Sequence, residues 1–147
     1  MQTFLPYPSF AESAAVLDRA RLGKQRVETL QVLRALTVPG YGWRHHPAAK
    51  MWRGHVPALT KYGLVVTDAW IAGGHGDTVR PQLLLFAPEV DALSQDQLEL
   101  PPWLGDPEFH RSHQSNLLRK DAEHYGRFFP DVPHDLPYTW PRPSESQ

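Results

Sequence analysis

Apolar positions between Phe10 and Leu36 recur at helical spacing, and no proline interrupts them. Ser9-Phe10-Ala11-Glu12 has the spacing of a capping box. The pattern predicts one long central helix over residues 10–36, with Gly23 as its weak point. Pro39-Gly40-Tyr41-Gly42 ends it. Pro47 suits the first turn of a second helix that runs to about Ala72, kinked at Pro57 and Gly63 and stopped by Gly73, Gly74 and Gly76. Residues 78–86 read as a third short helix or a buried apolar segment, and residues 112–125 as a last helix. Between them, residues 87–109 read as loop with one helical turn around 94–98. Residues 2–5 form an extended start, residues 130–147 an extended aromatic-bearing tail, and residues 144–147 a disordered end. The expected class is mainly α: a compact single domain over residues 1–143, with a long central N-terminal helix and a loop-rich C-terminal half.

Composition narrows the classes. A chain of 147 residues fits one domain, and the absence of cysteine excludes disulfide scaffolds and cysteine-based zinc sites. No stretch reads as a secretory signal and no apolar run is long enough to span a membrane, so the expected protein is bacterial, cytoplasmic and monomeric. The net charge of −1 hides a split. Residues 1–63 hold nine Lys/Arg against three acids, residues 64–110 one Arg against eight acids, and residues 111–147 five against five. Such asymmetry points to a polyanion-binding face, unless the signs cancel in space. Ten of the fifteen prolines lie after residue 80, which stiffens the second half.

On a wheel of residues 10–36, Val16, Ala20, Val27 and Leu30 form one apolar flank and Leu22, Leu33 and Leu36 another. Between them runs a polar stripe of Arg21, Lys24, Glu28 and Gln31. It is either a solvated face with an ordinary ion pair or a cleft that holds a carboxylate among cations. A second cluster runs from Trp43 to Arg53 and includes Arg44, His46, Lys50 and Trp52. Arginines interleaved with tryptophans suit phosphates and unstacked bases, although Trp52 also suits a core. In a third cluster His113, Asn116 and Lys120 share a face of the last helix. His110 and His113 could in principle ligate a metal, but no metal-ligand spacing is present, so no metal and no cofactor is expected. Phosphate-binding loops, dinucleotide fingerprints and nucleophile elbows are also absent from the sequence.

At these residues the chain resembles the pyrimidine dimer DNA glycosylase family, the phage endonuclease V-like group, and within it a bacterial branch. The resemblance covers roughly residues 1–125. It rests on Arg21-Leu22-Gly23-Lys24-Gln25-Arg26-Val27-Glu28, on His46 followed by a long helix and Asp77-Thr78, and on residues 114–120. It implies a compact α domain that flips a base out of double-stranded DNA and attacks C1′ with an α-amine. Glu28 falls on the catalytic glutamate of that pattern. Position 2 is Gln, so the amine is that of Met1, with Lys24 the substitute on the same face. Arg21, Arg26, Arg44, His46, Lys50, Arg53, His113, Asn116 and Lys120 are the expected nucleic-acid contacts. The expected function is a DNA glycosylase, with AP-lyase activity, on damaged or modified bases. Two alternatives stay open: an N-glycosidic enzyme on free nucleotides or nucleosides, and a non-catalytic nucleic-acid-binding relative.

Overall fold

The segment expected as one helix folds as two, α1 (Phe10–Val16) and α2 (Arg19–Thr37). Leu17 and Asp18 between them are extended, with ψ near 134° and 162°. The break is tertiary. The buried Tyr125 hydroxyl accepts from the Asp18 N–H at 3.0 Å and donates to the Asp18 carboxylate, so that N–H is satisfied outside a helix. Ser9 caps α1 by accepting from Glu12 N, as its position in the capping box implies.

The second expected helix also divides, into α3 (Pro47–Trp52) and α4 (Val56–Ala72). Gly54 takes φ +82°, a left-handed conformation that stops α3. Pro57 then lies in the first turn of α4, where a missing N–H costs nothing, so it does not kink the helix. Gly63 continues α4 where it packs closely against α2. A Cβ there would lie 2.8 Å from Thr29 Cγ2. The short segment after the glycines becomes α5 (Arg80–Leu84), followed by 3-10 turns at Pro88–Ala92 and Gln95–Gln97. The last helix begins earlier than expected, as α6 (Pro107–Lys120), because Asp106 caps it with Pro107 in its first turn. Asp121 ends α6 and caps α7 (Ala122–Tyr125).

This computed structural model describes residues 1–141, so the end expected to be disordered lies outside the described residues. The described residues are helical, without strands, as the periodicity implied. α2 packs on α4, and α1, α3 and α5 cover that pair. Trp52, Tyr62, Phe10, Phe109 and Leu33 lie fully buried in one core. Phe4, Leu17, Leu117, Tyr125 and Phe129 form a second core between the N-terminal segment and α6–α7. Burying each such side chain contributes about 1.5–3 kcal/mol. One expected apolar flank faces inward only in part, with Val16 and Leu30 buried. Val27 is 43% exposed and Ala20 is exposed, because the break at Leu17 lets α2 turn its own buried face, Gln25, Glu28, Thr29 and Val32, to the protein. No helix among the described residues is long and apolar enough to cross a membrane.

Candidate active site

Residues 2–6 are extended and have no strand neighbour, so their backbone groups need other partners. Side chains supply them. The Gln25 carboxamide bonds to Gln2 O (3.0 Å) through Nε2, and its Oε1 accepts from Phe4 N (2.9 Å). His113 Nδ1 accepts from Leu5 N at 2.9 Å, and His110 Nδ1 donates to Leu5 O at 2.7 Å. Gln114 donates to Pro6 O at 2.8 Å. Trp52 Nε1 donates to Thr3 Oγ1 at 2.9 Å, and the Tyr62 hydroxyl lies 2.7 Å from Phe4 O. The segment is held by α2, α3, α4 and α6 together, and Met1 is left half-buried at its end.

Gln25 also bonds to Glu28 Oε2 at 3.0 Å through Nε2, so one side chain fixes both the N-terminal segment and the carboxylate. The Glu28 side chain is 12% exposed, and Lys24 Nζ lies 4.0 Å from its Oε1. Arg21 turns toward the same space and bonds to Asp18 at 3.1 Å. These groups line a cavity of about 480 Å³ together with Met1, Gln2, Phe4, Ala20, Gln25, Lys120 and Tyr138. Three basic side chains and one carboxylate therefore share it.

The wall opposite α2 comes from the C-terminal strap. Leu136 N donates to Ser115 Oγ (3.0 Å), Thr139 N to Ser112 Oγ (3.1 Å), and Asn116 Nδ2 to Leu136 O (3.2 Å). The strap so held sets Tyr138 against the cavity, where burial raises the phenol's pKa and the Glu28 charge adds to the rise. Trp140 reaches His46, whose ring meets Trp140 and Trp43 edge to face with centroids 6.0 and 5.7 Å away. His46 Nδ1 caps α3 by accepting from Ala48 N at 3.0 Å. Burial lowers the His46 pKa, and the positive N-terminal amine lowers it further.

The expected site residues separate into groups. Met1, Arg21, Lys24, Glu28 and Lys120 line this cavity, whereas His46 does not and meets it only through Trp140, which packs on Tyr138. Arg26 faces elsewhere: it bonds to Asp77 and lies 4.6 Å above the Trp70 ring. His113 and Asn116 are buried and bond to backbone groups of residues 5, 112 and 136. Lys50 is half-buried on α3. Arg44 and Arg53 line a second cavity. Among the described residues no three His, Asp or Glu side chains form a metal-binding group. Sequence reasoning missed Gln2, Gln25 and Tyr138. Gln25 carried one usable signal, its position three residues before Glu28 on the same helical face. Tyr138 carried none.

A carboxylate held beside cations, in a cavity that Met1 also lines, suits an anionic ligand. A family model described as pyrimidine dimer DNA glycosylase matches residues 1–81, more than half of the chain. The matched span carries Met1, Arg21, Lys24 and Glu28. No curated protein and no solved structure matches the chain.

Proposed function

Because this chain belongs to the pyrimidine dimer DNA glycosylase family, we propose that it removes a damaged base from duplex DNA and then cuts the strand as an AP lyase, with the Met1 α-amine as nucleophile and Glu28 as the catalytic carboxyl group. The amine attacks C1′, the C1′–N bond breaks, and the base leaves with its electron pair and takes up a proton. Glu28 takes a proton from the attached amine and delivers it to O4′ as the sugar ring opens, which leaves a protonated imine between Met1 N and C1′. Glu28 then takes a proton from C2′, and the C3′–O bond breaks by β-elimination. Arg21, Lys24 and Lys120 hold the flanking phosphates. The target base must leave the stack to reach the cavity.

One observation carries the reading: Met1 and Glu28 line the same cavity, and Gln25 bonds both to Glu28 and to the residue next to Met1. Borohydride reduction of the imine on duplex DNA with one abasic site tests it. Wild type should form a covalent adduct. Glu28→Gln and an N-terminally acetylated protein should form little, and Lys24→Ala should retain it. If Lys24→Ala abolishes the adduct and acetylation does not, the nucleophile is Lys24. If wild type gives no adduct, the lyase reading is wrong.

A further inference from the structure

The second cavity, about 410 Å³, lies between the end of α2 and the loop over residues 39–46. Arg44, His45 and Arg53 supply its basic side chains, and among the described residues no Asp or Glu lines it. All three side chains are exposed, and neither arginine forms an ion pair among the described residues. An exposed cavity with cations and no acid attracts an anion the size of a phosphate group.

The loop that leads into it carries a second feature. Trp43 has φ +73° and is the one residue other than glycine with positive φ among those described. A bulky side chain in the left-handed region is strained, and such strain persists where something else selects it. The indole is 55% exposed and touches only the edge of His46 among the described aromatic rings. It sits next to Arg44 in the chain, and a chain of ring contacts through His46 and Trp140 links it to Tyr138, which lines the cavity of Met1 and Glu28. Trp52, the other indole of this cluster, is fully buried.

We propose that this loop grips DNA beside the reaction site: the Trp43 indole stacks on an unstacked base, and Arg44 and Arg53 hold two neighbouring phosphates of the same strand at the second cavity. The occupant follows from the pairing of features. Arginine neutralises phosphate, and an exposed indole accepts the face of any base. An acidic peptide would use the cations and leave the indole idle. The inference rests on DNA being the substrate, as proposed above, and concerns residues outside that catalytic set.

The test is fluorescence anisotropy with a labelled duplex that contains one tetrahydrofuran abasic analogue, titrated at several salt concentrations. Trp43→Ala should weaken binding about tenfold with the salt slope unchanged, and Trp43→Phe should recover most of the loss. The double variant Arg44→Ala/Arg53→Ala should lower the slope of log Kd against log salt by about 2. Trp43→Gly should raise the melting temperature while losing the same affinity, because glycine relieves the left-handed strain. Unchanged affinity in Trp43→Ala, an unchanged slope in the double variant, or a lower melting temperature in Trp43→Gly overturns the proposal. If wild type binds the duplex yet gives no borohydride adduct on abasic DNA, the lyase reading fails and the grip stands. If wild type does not bind the duplex, both fail.

Discussion

His113 ties the stability of the fold to pH through the N-terminal segment that it anchors. Its ring is fully buried against Phe4, Phe109 and Tyr138. Nδ1 is spent as the acceptor for Leu5 N, and Nε2 has no hydrogen-bond partner among the described residues. Burial pushes its pKa down from 6.5 to about 3, and the nearby His110 adds to the fall. The unfolded chain therefore binds a proton at this residue below about pH 6.5 that the folded chain refuses until about pH 3. Stability from this group is present above pH 6.5 and is lost progressively as pH falls through that window. Between pH 7 and pH 5 the loss is about 2 kcal/mol, at 1.36 kcal/mol per pH unit. His110 is also depressed by burial and acts in the same direction. Asp18, Asp77 and Asp91 are held below 3.8, so their losses begin only below about pH 4. Urea unfolding at pH 7, 6 and 5 measures the effect, with His113→Asn as the control. Asn keeps an acceptor for Leu5 N and does not titrate. It will be less stable at pH 7 because it is smaller, but its loss on going to pH 5 should shrink by about 2 kcal/mol. Equal pH dependence in the two proteins would refute the reasoning.

Gln25→Ala leaves Phe4 N, Gln2 O and the Tyr62 hydroxyl short of a partner, so urea melts should show a loss of about 3 kcal/mol. Adduct formation by the protein that remains folded should fall too, since Glu28 loses its bond from Nε2. Asp77→Ala strands Arg26 and removes the acceptor for the N–H groups of Val79 and Arg80, and should cost about 3 kcal/mol by the same measurement. Gly23→Ala gains helix propensity, yet its Cβ would lie 2.8 Å from the Trp70 ring. Displacing Trp70 from Arg26 should outweigh the gain and lower stability by about 1 kcal/mol, read as a drop in melting temperature.

The helical class was legible because apolar spacing and propensity agree over most of the chain. The breaks were not. Leu17 and Asp18 look helical locally, and only Tyr125, 107 residues away in sequence, makes the extended form cheaper. Arg53-Gly54-His55 carried a glycine, but a lone glycine is also tolerated inside helices, as Gly23 and Gly63 are in α2 and α4. In the site, the stripe of Arg21, Lys24 and Glu28 was readable because all three sit on one helix. Its meaning depended on whether the carboxylate is covered, and that is decided by residues 1–4 and by Tyr138 from the opposite end of the chain. Arg26 shows the converse. It sits two residues from Lys24 and Glu28 in the motif, and the turn of the helix sends it to Asp77 instead.

The near-zero net charge is a poor guide to how this protein meets a polyanion, because its acids and bases are not mixed evenly. Of the eight acids in residues 64–110, Asp77 is covered by Arg26, and Asp68 and Asp91 share Arg80 at 2.7 Å each. The cations of residues 1–63 that remain around the two cavities are Arg21, Lys24, Arg44 and Arg53, and α6 adds Lys120. Among the described residues, the only carboxylate lining either cavity is Glu28. Salt dependence measures local charge, since it counts the counterions released from contacted phosphates. If these five side chains all reach phosphates, the slope of log affinity against log salt should approach about −4.5 for duplex DNA, at roughly −0.9 per contact. A protein that met DNA through its average charge of −1 would show a slope near zero, and so would a site for a single free nucleoside. A measured slope of about −2.7 corresponds to three contacts, which the Arg21, Lys24 and Lys120 cavity can supply alone. The further drop to about −4.5 requires the second cavity, so the slope counts how much of the basic surface the duplex touches.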